Sequence, residues 1–249
     1  MNVSLYQAAA AMNAQSRWQE LITENLAAGS TPGFCKRNVS FADVAAASPL
    51  AVNGATPSNF MIPVAISSTS FQQGQLRPTG GALDFAIEGS GFFTVQMPNG
   101  DRAYTRDGEF QLNGKGQMVT KEGYPVLSSG GPVQFDPNNP GAISISTAGQ
   151  ISQGGEVKGQ LQAVTFSDPS QLTETDYGYL LANQPGMTPT PVAADTSIRQ
   201  GFLEAPNTSP TSEMSGLINT MRIFEANQKV LQMQNDRMGS VISALGGTT

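Results

Sequence analysis

Residues 83–123 read LDFAIEGSGFFTVQMPNGDRAYTRDGEFQLNGKGQMVTKEG, and the spacing of apolar residues within them decides the fold. Leu83, Phe85 and Ile87 alternate along one run, Phe93, Val95 and Met97 along a second, and Phe110 and Leu112 along a third. A period of two places one set of side chains on one face of a β-strand. Between and after these runs stand Asn99-Gly100, Asp107-Gly108, Asn113-Gly114 and Glu122-Gly123. Such pairs suit the left-handed backbone of short hairpin turns, so the stretch predicts tight hairpins in an antiparallel sheet. Weaker strand patterns follow at 143–145, 161–166 and 198–203.

Outward from this β body, the period changes to that of a helix at both ends of the chain. Leu5, Ala8, Met12, Gln15, Gln19, Ile22 and Leu26 recur at steps of three and four until Gly29 and Pro32-Gly33 stop the pattern. Near the other end, Ser209 and Pro210 supply an N-cap and a first-turn proline. A stripe then runs through Met214, Leu217, Met221, Phe224, Gln228, Leu231, Asn235, Met238, Ile242 and Leu245. At 1.5 Å per residue this is a rod of about 50 Å. The expected fold class is α+β: long N- and C-terminal helices forming a coiled-coil-like pair, with a central, mainly antiparallel β domain between them. The expected divisions are 1–34 for the first helix and its corner, 35–80 for an extended linker region, 81–205 for the β domain and 206–249 for the last helix. Small, Pro-containing stretches at 45–59 and 184–196 read as linkers.

Composition removes whole classes of function. The 249 residues include no histidine, so the commonest general base and metal ligand is missing. The single cysteine, Cys35, cannot form an internal disulfide or hold a metal unaided. A net charge of −6 leaves no overall basic surface for nucleic acid. No apolar run approaches a membrane span, and no charged leader precedes an apolar segment, so neither membrane insertion nor a cleavable signal peptide is expected. Only 13% of residues are charged, while 27 are glycine and 16 proline, a turn-rich, weakly charged surface suited to being covered by partners. Asp101, Asp107 and Glu109 are the one carboxylate group that invites a hydrolytic reading, with solvated turn residues as the default. Gly89-Ser90-Gly91 lacks a phosphate-loop context, and Asp136-Pro137-Asn138-Asn139 lacks a calcium loop's final glutamate. No catalytic residue, cofactor or metal site is expected.

Three blocks then carry a resemblance: Asn25-Leu26-Ala27 with Ser30-Thr31-Pro32-Gly33-Phe34 and Lys36-Arg37; the segment 84–120; and Gln200-Gly201, Leu203-Glu204, Arg222, Phe224-Glu225 and Asn227. In that order they resemble the N-terminal, central and C-terminal signatures of the bacterial flagellar rod and hook proteins. The family usually has asparagines where this chain has Glu24 and Ala28, a lysine where Cys35 intervenes, and a serine where Pro206 stands. The length resembles the large rod subunits rather than the hook, and Arg222-Ile223-Phe224-Glu225 resembles the proximal rod type, with distal rod as the alternative. The resemblance implies a structural subunit of the basal-body rod in the periplasm. It would be exported without a signal peptide through the flagellar export machinery and would polymerise with itself and other rod subunits into a hollow helical tube. The residues expected at inter-subunit helix contacts are Leu5, Met12, Ile22, Asn25, Leu26, Met214, Leu217, Met221, Phe224, Asn227, Leu231 and Met238. The corner is expected at Gly29, Thr31, Pro32, Gly33 and Phe34, with the two glycines taking backbone angles closed to other residues. A wall-degrading enzyme on the β domain is the alternative of another class.

Overall fold

The computed structural model describes residues 3–46, 60–175, 178–184, 186–192 and 196–246, and side chains at 7–42, 63–175, 178–184, 186–192, 196–240 and 243. Two compact units emerge: Met1–Ala27, Arg37–Thr69 and Ser209–Thr249 form the first, Ala28–Lys36 and Ser70–Thr208 the second. The chain therefore passes between them four times, after Ala27, Lys36, Thr69 and Thr208.

The first unit contains helix α1 (Val3–Ala27), strands β1 (Arg37–Ala46) and β2 (Phe60–Thr69), and helix α2 (Pro210–Gly246). Both helices begin and end close to where their sequence signals lie; at the start of α2 the Glu213 amide donates to the Ser209 carbonyl over 3.0 Å. The β1–β2 pair is a ten-residue antiparallel ladder from Arg37 opposite Thr69 to Ala46 opposite Phe60. No strand was expected there, although Phe60, Ile62, Val64 and Ile66 alternate along β2 and Val39 and Phe41 along the start of β1.

The helices pack antiparallel, since Asn25 lies beside Glu213, Ile22 against Gly216 and Gln15 beside Thr220. They do not form the expected coiled-coil-like pair. The side of α2 that is withdrawn from solvent carries Glu213, Leu217, Thr220, Phe224, Asn227, Leu231 and Gln234, whereas Met214 is 55% and Met221 50% exposed. Leu217, Phe224 and Leu231 fall at heptad spacing, and so do Glu213, Thr220, Asn227 and Gln234. Apolar rungs thus alternate with polar ones, and knobs-into-holes packing needs apolar side chains at both. At the Thr220 rung, Oγ1 donates to the Gly216 carbonyl one turn back (2.6 Å), and Gln15 Nε2 of α1 donates to the Thr220 carbonyl (3.1 Å). Helix α1 is also divided. Gln15 and Ile22 turn to α2, while Trp18 meets the Phe41 ring of β1 edge to face at 5.6 Å. Twenty-five residues against 37 make α1 about three turns shorter than α2. The α2 side chains at 235–240 are all exposed.

The second unit is the β body, and every strand pairing among its described residues is antiparallel. Strand β3 (Leu76–Pro78) pairs with Phe202–Glu204, and β4 (Phe85–Glu88) with Ser197–Gln200. Strands β5 (Phe92–Gln96) and β6 (Arg102–Thr105) lie at the centre of a six-stranded sheet. Strand β5 is buried on both faces. Phe93 and Val95 join Phe85, Ile87, Phe110 and Met118 in the larger core, while Phe92 joins Tyr104, Val164 and Phe166 in a smaller one. The β5–β6 turn is made at Asn99-Gly100 as expected, with Gly100 at φ +90°. Asp107-Gly108 differs. It turns no hairpin; Gly108 lies so close to β4 that a Cβ there would sit 1.6 Å from the Phe85 carbonyl oxygen.

Candidate functional site

The residues singled out for helix contacts fall into three groups. Ile22 and Asn25 are buried, and Met12 and Leu26 half-buried, on α1; Leu217, Phe224, Asn227 and Leu231 are half-buried on the inward side of α2. Met214, Met221 and Met238 face solvent, joined by Ile218 and Met233. The Leu5 side chain, like those of Ile242 and Leu245, lies outside the described residues. An exposed run of methionine and isoleucine on a long helix is a large adaptable apolar surface. Among the described residues, no helix is long and apolar enough to cross a membrane.

Asn25 holds the first unit's chain ends together. Its Oδ1 accepts from the Arg37 amide (2.9 Å) and its Nδ2 donates to the Arg37 carbonyl (2.8 Å), a two-point clamp twelve residues along the chain. Glu24 adds an ion pair to the Arg37 guanidinium at 2.7 Å.

Beyond α1, the corner turns within the second unit. The Thr31 amide donates to the Ala28 carbonyl (2.9 Å), and Pro32 follows where the helix cannot continue. Only Gly33 of the two corner glycines is left-handed, at φ +68°; Gly29 is not. Gly33 also has no room for a side chain, because a Cβ would lie 2.2 Å from the Asp107 nitrogen. Thr31 is exposed, and Phe34 is half-buried.

The corner is laced to two other chain segments by groups that the sequence reading did not single out. The Gly33 amide donates to the Glu204 carbonyl (2.8 Å), and the Glu204 carboxylate accepts from the Gly74 amide (2.8 Å) and from Arg106 Nη1 (3.1 Å). Both charged side chains are buried, 4% and 5% exposed. Burial outweighs the pairing with Arg106 and holds the Glu204 carboxyl above its ordinary range. Arg106 also lies over the Phe92 ring, 5.2 Å from its centre. Asn207 completes the lacing. Its Oδ1 accepts from the Lys36 amide (2.6 Å), its Nδ2 donates to the Ser70 and Gln72 carbonyls (both 2.8 Å), and its own amide donates to the Phe34 carbonyl (3.3 Å). Cys35 sits among these groups; burial pushes its thiol up to about 11, so it stays protonated and unreactive at neutral pH.

The suspected carboxylates form a separate group. Asp107 Oδ1 accepts from the Glu109 amide (2.9 Å), and Lys121 bridges Glu109 (2.7 Å) and Asp107 (3.8 Å). The Tyr179 hydroxyl donates to Glu122 close by. Burial raises Asp107 to about 6 despite the Glu109 amide and Lys121. Asp101 instead belongs to the β5–β6 turn, bonded by the Asn99 side chain at 2.7 Å. Among the described residues, no cluster of ligating side chains could hold a metal.

Comparison with known proteins follows the same layout. Residues 86–153 match the family model of the flagellar hook protein FlgE/F/G D1 domain, and residues 199–244 that of the flagellar basal body rod FlgEFG protein C-terminal region. The chain is 33% identical over 247 residues to the flagellar basal-body rod protein FlgF of Caulobacter vibrioides, covering 99% of both chains. It is 32% identical over 250 residues to FlgF of Mesorhizobium japonicum, again covering 99% of each. To the basal-body rod protein FlgG of Buchnera aphidicola subsp. Acyrthosiphon pisum it is 33% identical over 262 residues, covering 97% of this chain and 99% of the relative.

Proposed function

The chain belongs to the flagellar basal-body rod protein family and is a structural rod subunit of FlgF-like type, and we propose that it polymerises with copies of itself and with related subunits into a hollow helical shaft that carries torque and encloses an export channel. The observation that carries this reading is the state of α2. Met214, Ile218, Met221, Met233 and Met238 are exposed on a helix about three turns longer than its partner. A head-to-tail contact that does not close on itself builds an open filament, and such helices supply it along the axis. Neighbouring subunits would cover these methionines and isoleucines, with Leu5, Met12 and Leu26 contributing from α1. Stiffness then comes from many repeated contacts.

In this role the chain needs no catalysis. Asp107 and Glu109 share Lys121, and we read their carboxylates as structural. We read the subunit, from its likeness to FlgF, as a component of the proximal rod, with the distal rod as the alternative. The chain would reach the periplasm through the flagellar export machinery.

The test is made in cells. An epitope-tagged chain should co-purify with basal bodies at the cell-proximal end of the rod, and deletion of residues 1–29 should leave it in the cytoplasm. A tagged chain absent from basal bodies of motile cells refutes the assembly, and undiminished secretion of the deletion refutes the export route.

A further inference from the structure

Three segments of the second unit end at passages between the units: 28–36 before Arg37, 70 onward after Thr69, and the stretch to Thr208 before Ser209. We infer that Asn207 is a positioning residue that ties these three segments into one bundle, so that force entering along any one is shared by all. The inference rests on the rod reading, since only a torque-carrying subunit needs such sharing.

The chemistry singles out asparagine. A primary amide offers an acceptor and two donors in one plane. Here Oδ1 takes the Lys36 amide, and Nδ2 reaches both the Ser70 and Gln72 carbonyls. The main chain reinforces the same meeting point. The Ser70 amide donates to the Lys36 carbonyl (2.8 Å), the Asn207 amide to the Phe34 carbonyl (3.3 Å) and the Ala205 amide to the Gln75 carbonyl (2.8 Å). Without Asn207 the polypeptide remains threaded, but its side-chain cross-ties are gone. Aspartate keeps the acceptor and loses the donors, so it should free the 70–72 segment alone; alanine should free both that segment and Lys36. The large core, built on Phe85, Phe93 and Met118, does not include this residue and should be untouched.

Amide hydrogen exchange on the purified full-length chain reads this at Lys36 through its own bond to Asn207 and at Ser70, whose carbonyl Asn207 holds, through opening of the segment, because one lost hydrogen bond of about 1 kcal/mol speeds local opening by roughly fivefold or more. In N207A, the Lys36 and Ser70 amides should both accelerate by about that factor. In N207D, Ser70 should accelerate while Lys36 stays within about twofold of wild type. The Met118 and Val126 amides, bonded to the Val133 carbonyl and the Met118 carbonyl, should keep wild-type rates in both variants. In cells, both variants should be secreted and built into basal bodies; swimming should persist in dilute medium and fail in viscous medium, where the rod carries the greatest load. Unchanged Lys36 and Ser70 amides in N207A, equal acceleration of Met118 and Val126, or undiminished viscous swimming would each overturn the inference. Absence of the wild-type chain from basal bodies would instead sink the rod reading, leaving the exchange result to stand by itself.

Discussion

The two units of this chain solve the burial problem in opposite ways. The β body closes two aromatic cores around β5, in which Phe85, Phe92, Phe93, Val95 and Met118 are withdrawn from water. Among the described residues of the helical unit, the buried apolar side chains are Ala14, Leu21 and Ile22, accompanied by Gln15, Asn25, Glu213 and Thr220, while larger apolar groups such as Met214 and Met221 are exposed. A body of the first kind is finished by itself. A unit of the second kind is a half-built interface, because isolated amphipathic helices draw most of their stability from packing.

The largest expected effect that would sharpen this contrast is Phe93→Ala. Loss of its edge-to-face contact with Phe110 and the cavity left behind should destabilise the β body by about 3–5 kcal/mol, measured by urea unfolding of the purified chain. An effect under about 1 kcal/mol would show that the β body is not the self-sufficient unit. Next is a pH effect at Asp107. Its folded pKa of about 6 lies above its ordinary 3.8, so the folded chain binds the proton more tightly than the unfolded one. Its contribution is therefore fully present below about pH 4 and is lost as pH rises through about 6, by up to about 3 kcal/mol. Asp107→Asn should flatten that part of the stability-versus-pH curve, read by unfolding midpoints from pH 4 to 7. The smallest effect on the lone chain is expected for Met214→Ser with Met221→Ser. Their exposure predicts a change within about 0.5 kcal/mol, yet incorporation into basal bodies should be lost. A large loss of monomer stability with normal incorporation would reverse the contrast.

Much of this contrast was legible in the residue pattern. Phe85, Phe93 and Val95 announce their faces by alternation, and Asn99-Gly100 its turn, because both signals are local. The helix ends were equally local, set by Pro32 and by Ser209-Pro210. The rotation of α2 was not. Met214 and Met221 outrank Glu213 and Thr220 in hydrophobicity, and the polar bonds that join this side of α2 to α1, from Gln15 to the Thr220 carbonyl and from Asn25 to Glu213, span 205 and 188 residues. Asp107-Gly108 reads as a hairpin, but the nearness of Phe85 gives that glycine a different use. The ladder of β1 and β2 was legible in part, since Phe60, Ile62, Val64 and Ile66 alternate along β2, whereas in β1 the alternation of Val39 and Phe41 lapses at Asp43 and Ala45. Arg106, Glu204 and Asn207 could not be singled out, since their partners are chosen by tertiary approach.

The four passages of the chain also set an order of completion. Everything the β body needs has appeared once Thr208 has, whereas the seam of α1 joins Gln15 to Thr220, a residue that follows that point. Along the polypeptide, then, the β body has all its parts before α2 begins, and the seam of the helical unit is the last thing the sequence makes possible.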